Sequence, residues 1–221
     1  KKLRMASKFI HKVFVLTALV FLSCSEKTVK ENQKLLPVLG EKRLNPDGSD
    51  TLYHAIGNFS FINQYRDTIT EKTTNGKIYV ADFFFATCQS ICPVMSSHLT
   101  IVQKEFEKDS SLLILSHTVN PMHDTVEVLQ QYADRFGAVK NKWHFLTGEK
   151  KKIYSLAKDS YLVNALQDDG SAEGFLHSEL FLLIDTKQRI RGMYDGTDSV
   201  QVKKLIDDIY ILKQEENANN S

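Results

Sequence analysis

Proline and glycine are scarce in this chain of 221 residues, with 4 and 10 copies. Fibrous and disordered chains are usually rich in both, so the composition excludes those classes. An excess of charge of one sign is also missing, because the formal net charge is only +1. This balance argues against a nucleic-acid partner, which a basic surface would attract. With 42% hydrophobic and 25% charged residues, the chain is predicted to form one globular domain with short appendages.

Long apolar runs are missing as well. The longest N-terminal run, Val13 to Leu22, follows a lysine- and arginine-rich stretch and is interrupted only by Thr17. It is too short to cross roughly 30 Å of hydrocarbon as a helix. Its length is that of the apolar region of a signal peptide. We therefore expect residues 1–23 to be a signal peptide and the domain to be exported.

Cysteine is rare, with three copies, and the first of them follows the apolar run after a single serine. The sequence Phe21-Leu22-Ser23-Cys24 is similar to a bacterial lipobox, although leucine is usual where Phe21 stands. We predict that Cys24 is lipidated; the alternative is an incidental cysteine in an uncleaved anchor. Lipidation would place the protein in the bacterial cell envelope, with its domain in the periplasm or otherwise outside the cytoplasmic membrane. Cysteine pairs can form disulfides in such compartments.

Apolar periodicity predicts where the domain begins and ends. Residues 24–52 are mostly polar and are expected to be the lipidated N-terminus and a tether. Residues 53–213 alternate between strands and helices, with an early hairpin, and end in a second hairpin and an amphipathic helix. This order predicts an α/β thioredoxin-like sandwich, with a central mixed sheet, flanking helices and an N-terminal hairpin extension. The polar residues 214–221 are predicted to be a disordered tail.

The other two cysteines, Cys88 and Cys92, follow the apolar run Ile78 to Ala86, and Pro93 comes next. The pattern predicts a buried strand followed by a helix, with Cys92 at the N-cap and Pro93 at the first helical position. The positive end of a helix favours a thiolate, which is both a nucleophile and a soft metal ligand. The pair could therefore perform disulfide exchange or bind a metal, and a purely stabilising disulfide is a third alternative.

Asp82 lies inside the same predicted buried strand, where a carboxylate is costly unless it is paired or protonated. Thioredoxins have an aspartate at this offset beneath their active site, where it can take a proton from a cysteine. The alternative is an aspartate bonded to backbone or water near the strand end. The sequence leaves both interpretations open.

Proline is also missing where a thioredoxin would need it, because no proline follows Pro121. Thioredoxin-type oxidoreductases place a cis-proline opposite the cysteine pair, just before the hairpin strand. Here the equivalent stretch contains His177, followed by Ser178 and the apolar strand from Leu180. Two thiolates and an imidazole are a soft ligand set suited to Cu(I) and acceptable to Cu(II). We therefore predict a copper site formed by Cys88, Cys92 and His177.

These motifs resemble those of the Sco/SenC family of copper chaperones. The resemblance rests on Cys88-Gln89-Ser90-Ile91-Cys92-Pro93, on His177-Ser178, and on Asn120-Pro121-Met122-His123-Asp124-Thr125, which is similar to the family's DPxxDT turn. Leu146-Thr147-Gly148 adds a weaker match. Residues 53–212 are covered. Two positions depart from the family's pattern: Asn120 replaces the usual aspartate, and Thr87 replaces the histidine that precedes the first cysteine in many members.

The resemblance implies a membrane-anchored protein that binds copper through both cysteines and the histidine. It implies delivery of copper to the cytochrome c oxidase subunit with the binuclear copper site, or reduction of that site's cysteines. Other copper chaperones or thioredoxin-like reductants are further expected partners. The protein would then be a metallochaperone rather than an enzyme, with thiol–disulfide reduction or redox sensing by the Cys88/Cys92 pair as the alternative.

The remaining candidate ligands are weaker. His117, His123 and His144 are expected on turns or strand ends and carry no further signal. Met95 has helical spacing and is predicted to be a core residue, as is Trp143. Nucleotide-binding and hydrolase motifs such as GxGxxG, HExxH and GxSxG are missing, which removes support for those functions.

Overall fold

A mixed sheet of seven strands organises this computed structural model, which describes residues 35–163 and 178–219. The sheet order is β4-β3-β7-β6-β5-β8-β9, and a separate two-stranded sheet pairs β1 with β2. The strands are β1 (Lys42–Leu44), β2 (Thr51–Tyr53), β3 (Ser60–Asn63), β4 (Thr68–Thr70), β5 (Ile78–Phe84), β6 (Leu112–Thr118), β7 (Trp143–Thr147), β8 (Leu180–Ile184) and β9 (Ile190–Asp195).

Strand β5 forms the centre of the sheet, and all seven of its residues are buried. It pairs in parallel with β6 on one side and antiparallel with β8 on the other. A strand with neighbours on both edges and layers on both faces needs apolar residues at nearly every position. This is why the run from Ile78 was recognisable in the sequence as a buried strand.

The strand directions give the sheet two distinct ends. Strands β5, β6 and β7 are parallel, so all three finish at one end, which we call the carboxyl end. Strand β8 runs the other way and therefore begins at the carboxyl end and finishes at the opposite end. The residues before β8 and the residues after β5 consequently approach the same end of the sheet.

Five α-helices connect or cover the described strands, and one of them begins right after β5. They are α1 (Glu71–Thr74), α2 (Ile91–Glu105), α3 (Val126–Arg135), α4 (Lys150–Ser155) and α5 (Ser199–Asn219), with a π-helical segment at Leu156–Ser160 after α4. The predicted sheet flanked by helices is confirmed. None of the helices in the described part of the chain is both long and apolar enough to cross a membrane.

The two ends of the domain differ from the sequence prediction. Helix α5 continues to Asn219, whereas a disordered tail was predicted from residue 214. The buried Glu215 explains the difference, because its carboxylate accepts a hydrogen bond from the Leu36 N–H and pairs with Arg191. The predicted tether is also ordered from residue 35, since Leu36 is buried and the Leu39 N–H donates to the carbonyl of Ile190 at 2.8 Å.

Strand β6 extends beyond its predicted apolar part into three buried polar residues, Ser116, His117 and Thr118. His117 is therefore the next-to-last residue of a central strand, near a strand end as predicted, but it is fully buried. Its ring is surrounded by aromatic rings at centroid distances of 5.2–6.2 Å, from Phe59, Phe61, Phe83 and Tyr161. Neither ring nitrogen has a hydrogen-bond partner among the described residues. Burial lowers the pKa of His117 to about 3.

Replacing His117 with leucine, which has a similar volume, is expected to stabilise the fold. An unsatisfied buried polar group costs about 1–3 kcal/mol, and leucine removes that cost. The gain should also increase as the pH falls. Between about pH 6.5 and pH 3 the unfolded chain binds a proton on His117 that the folded chain does not, so wild-type stability falls by about 1.4 kcal/mol per pH unit from this group. Urea unfolding of both proteins above and below pH 6.5 would measure this. A difference that stays constant with pH would contradict the proposed burial of a neutral imidazole.

Candidate metal and thiol site

Cys88 and Cys92 lie together at the carboxyl end of the sheet. After β5, the chain turns so that the Cys88 N–H donates to the Phe85 carbonyl at 3.1 Å. Helix α2 then begins, and the Cys92 N–H donates to the Cys88 sulfur at 3.4 Å. Both residues are free thiols, with only 7% and 3% of their surfaces exposed. The structure therefore holds two free thiols within one helical turn, shielded from bulk solvent.

The helix begins earlier than the sequence predicted. Its N-cap is Ser90, so Cys92 occupies the second helical position and Pro93 the third. Proline is tolerated there because the first N–H groups of a helix have no partner within the helix. The Ser90 side chain makes no capping hydrogen bond, and the Cys88 sulfur instead accepts from a first-turn N–H. Cys88 therefore takes part in capping the helix, a role that the prediction gave to Cys92.

The pKa values of the two thiols are shifted in opposite directions. Burial opposes ionisation of Cys88, but hydrogen bonds from the Cys92 thiol and from the N–H groups of Cys92 and Ser90 lower its pKa overall. Burial and the hydrogen bond to Cys88 raise the pKa of Cys92. Cys88 is therefore the thiolate-forming member of the pair, and Cys92 is the member that keeps its proton. This asymmetry suits both nucleophilic attack by one sulfur and stepwise binding of a soft metal ion.

Asp82 lies beneath this pair, within the middle of the sheet. It accepts a hydrogen bond from the Ser116 hydroxyl at 2.5 Å, and Trp143 donates its indole N–H to the same hydroxyl at 2.8 Å. Burial raises the pKa of Asp82 to about 7. Its charge in turn helps to raise the pKa of Cys92. The interpretation as a strand-end residue bonded to backbone or water is wrong, because Asp82 is interior, bonded to a serine and electrostatically linked to a cysteine.

Asp124 is the residue of this site whose role the sequence reading missed. It lies just before α3, whose N-cap is Thr125; the Thr125 hydroxyl accepts from the Val128 N–H at 3.4 Å. Asp124 is fully buried and accepts from the Ala86 N–H at 3.1 Å and from the Thr118 hydroxyl. These hydrogen bonds connect the turn after β6 to the start of the cysteine loop. The aspartate in the DPxxDT-like motif was the available signal.

Most of the other predicted residues are either buried in the core or lie outside the part of the chain that the structure describes. Met95 and Trp143 are buried core residues, as expected. His144 is the second residue of β7, near a strand end as predicted, and its Nδ1 is 3.1 Å from the side-chain nitrogen of Asn63. Cys24 and His177 lie outside the described residues. Within residues 35–163 and 178–219, no group of three histidine, cysteine, aspartate or glutamate side chains could hold a metal ion. At the β5–α2 junction the described residues thus supply two candidate ligands, Cys88 and Cys92.

Comparison with known proteins decides the family. The model of the SCO1/SenC family matches residues 48–212. The chain belongs to the SCO1/SenC family. The match includes the Cys88/Cys92 loop, the turn at Asn120 and the strand that follows His177. It begins within the ordered β1–β2 hairpin, ahead of residue 53, where the sequence reading had placed the start of the domain.

Solved structures of SCO1/SenC proteins have the same fold. A family lipoprotein from Bacillus anthracis is 28% identical, with a TM-score of 0.65 over 72% of this chain and 95% of that one. BsSco, described as a cytochrome c oxidase assembly protein with a disulfide switch, is 25% identical with a TM-score of 0.63, covering 72% and 93%. Arabidopsis thaliana ScoI, solved with copper bound, is 26% identical with a TM-score of 0.58, covering 72% and 99%. The predicted thioredoxin-like family fold is therefore confirmed.

Proposed function

We propose that this protein is a copper chaperone of cytochrome c oxidase assembly that binds a copper ion through Cys88, Cys92 and His177. The observation that carries the proposal is the pair of buried, free thiols at the β5–α2 junction. Thiolate sulfur is the donor that selects Cu(I). The copper in the Arabidopsis relative and the oxidase-assembly role of BsSco support the same assignment.

His177 is proposed as the third ligand because of where the chain resumes after it. Ser178 is buried and leads into β8, which begins at the carboxyl end of the sheet, next to the end of β5. Cys88 follows the end of β5. Ser178 therefore lies at the same end of the sheet as the two sulfurs, and His177 is its immediate neighbour in the sequence. A thiolate–thiolate–imidazole set would complete the coordination that the described residues leave at two ligands.

Copper is the cargo of this proposed cycle. It enters as Cu(I) or Cu(II) at the reduced cysteines and leaves by ligand exchange with the cysteines of the oxidase subunit that carries the binuclear copper site. Formation of a Cys88–Cys92 disulfide would stop binding, since a disulfide offers no thiolate. Lipidation at Cys24 would hold the domain outside the cytoplasmic membrane, and the Bacillus anthracis relative is a lipoprotein.

The proposal is tested by titrating the reduced domain with Cu(I) against a competing chelator. His177→Ala is expected to weaken binding by more than about tenfold, because loss of even an outer-shell partner costs that much. His54→Ala is the matched control, since His54 bonds the carbonyl of Ser160 and the nearby Ile56 is bonded to the β8–β9 turn at the opposite end of the sheet. Equal affinities of wild type and His177→Ala would rule out the three-ligand site.

The unequal acidity of the two thiols favours a second candidate function, thiol–disulfide reduction. Cys88, with its lowered pKa, would attack a target disulfide, and Cys92 would resolve the mixed disulfide. Two electrons would pass from the Cys88–Cys92 pair to the target disulfide. The target sulfurs would be reduced to thiols, and the Cys88–Cys92 pair would be oxidised to a disulfide. An insulin reduction assay on metal-free protein separates this function from copper binding, and absence of turnover would count against it.

A further inference from the structure

A turn carrying two soft donor atoms lies beside the cysteine loop. It spans Asn120 to His123 and follows β6 at the carboxyl end of the sheet. Two hydrogen bonds join its flanking residues to the chain before Cys88: the Val119 N–H donates to the Phe84 carbonyl at 2.8 Å, and the Ala86 N–H donates to Asp124 at 3.1 Å. With these bonds, chain geometry limits the distance between the Cα atoms of His123 and Cys88 to about 20 Å.

Met122 is the most outward-facing large apolar side chain of the turn, with 86% of its surface exposed. At this exposure the thioether sulfur is not enclosed in the core and is accessible to an ion in solvent. The turn that presents it is fixed, because the N–H groups of His123 and Asp124 both donate to the Asn120 carbonyl, at 3.0 and 2.9 Å. The thioether sulfur is therefore exposed to solvent on a turn whose backbone is held by hydrogen bonds.

His123 is oriented by a buried carboxylate. Its Nδ1 lies 3.0 Å from Oδ1 of Asp124, while about half of its side chain remains exposed. This contact leaves Nε2 as the ring nitrogen available to a metal ion. A carboxylate bonded to the second nitrogen of an imidazole is the arrangement that orients histidine ligands. The arrangement differs from that of His144, whose Nδ1 is bonded inside the core.

We propose that Met122 and His123 form a second, weaker Cu(I) site through which the ion passes on its way to or from Cys88 and Cys92. Thioether and imidazole are both ligands that Cu(I) accepts, and thiolates bind it more strongly. In the transfer step, the Cu(I) bonds to the Met122 sulfur and the His123 nitrogen break as bonds to the two cysteine sulfurs form. The thiol protons pass to solvent, and copper keeps its oxidation state. The direction of transfer rests on the proposed chaperone function, but the existence of the second site does not.

Binding at the second site is tested without the thiols. In a Cys88→Ser/Cys92→Ser protein, anaerobic titration with Cu(I) is expected to shift the NMR signals of the Met122 methyl group and the His123 ring, with saturation. The methyl group of Met95 is buried and that of Met193 is partly buried in β9, so both are internal controls that should not move. Unchanged Met122 and His123 signals at excess Cu(I) would overturn the proposal. If wild type still bound copper in that case, the chaperone function would stand alone.

Transfer is tested by the rate of loading. Met122→Leu/His123→Asn keeps both cysteines, and asparagine can still bond Asp124. Loading from a Cu(I)–glutathione donor is expected to slow about tenfold, the lower range for losing a metal-supporting group, while the final affinity stays at the wild-type value. Met193→Leu is the matched control and should load at the wild-type rate. A double variant that loads as fast as wild type would overturn the transfer role, whatever the affinity of the cysteine site.

Discussion

Arg191→Met is expected to destabilise the domain by about 3–5 kcal/mol, the range for breaking a buried ion pair by removing one partner. Arg191 is only 5% exposed. Its guanidinium donates to Glu215 at 2.5 Å and to Asp185 at 3.3 Å, and to the carbonyls of Leu36 at 2.7 Å and Pro37 at 3.0 Å. Methionine can fill the space but leaves two carboxylates and two carbonyls without this donor.

Urea unfolding of the variant and of a surface control would measure the effect. Arg43→Met removes an arginine that pairs with Glu41 while both side chains are more than 70% exposed, and such pairs contribute at most about 1 kcal/mol. If Arg191→Met cost no more than Arg43→Met, the buried network would not be stabilising. The Arg191→Met/Glu215→Met double variant should recover part of the loss, because an apolar pair no longer leaves a buried charge unpaired.

The hydrogen-bonded network of Arg191, Glu215 and Leu36 also explains why both ends of the domain were misplaced from the sequence. Residues 214–219 are polar, and residues 35–39 form only a short apolar run, so neither segment predicts a packed element. They are ordered because the Leu36 N–H, the Glu215 carboxylate and Arg191 meet at the end of the sheet opposite the cysteines. Leu36 is 155 positions from Arg191 and 179 from Glu215 in the chain, so no local pattern could reveal these contacts.

The central strands were predictable for the opposite reason. A strand buried on both faces has no polar alternation, so the apolar run of β5 was sufficient. The polar end of β6 was missed because Ser116 and Thr118 look like loop residues until their partners are known. Each bonds a buried carboxylate, Asp82 and Asp124 respectively. Buried polar groups of this kind are determined by tertiary contacts rather than by local preference.

At the site, sequence spacing was enough to bring Cys88 and Cys92 together, because any helix that begins between residues four apart keeps them within one turn. The capping geometry was not predictable, since Cys88 replaces a serine or aspartate as the acceptor for a first-turn N–H. The acidity of each thiol depends on that same bond. The pair could therefore be identified from the sequence, whereas the different roles of its two members are visible only in the structure.

Cys88→Ser and Cys92→Ser are each expected to lower the affinity for Cu(I) by more than about 100-fold. Loss of an outer-shell partner of a ligand already costs 10–100-fold, and here a donor atom itself is exchanged. A hydroxyl oxygen is a hard donor, whereas Cu(I) prefers soft sulfur. Both cysteines are buried, so thermal unfolding of each variant must accompany the copper competition titration to show that the fold is retained.

Ser90→Ala is the matched control, because its hydroxyl is 3.7 Å from the Cys88 sulfur but both thiols remain. It should stay within about tenfold of wild type, the lower limit for an outer-shell group. Oxidation provides a second readout. An oxidant such as diamide takes two electrons from the Cys88–Cys92 pair of wild type, and the resulting disulfide should release copper, since it offers no thiolate. Neither serine variant can form that bond. A serine variant that kept wild-type affinity would show that copper does not bind through both sulfurs.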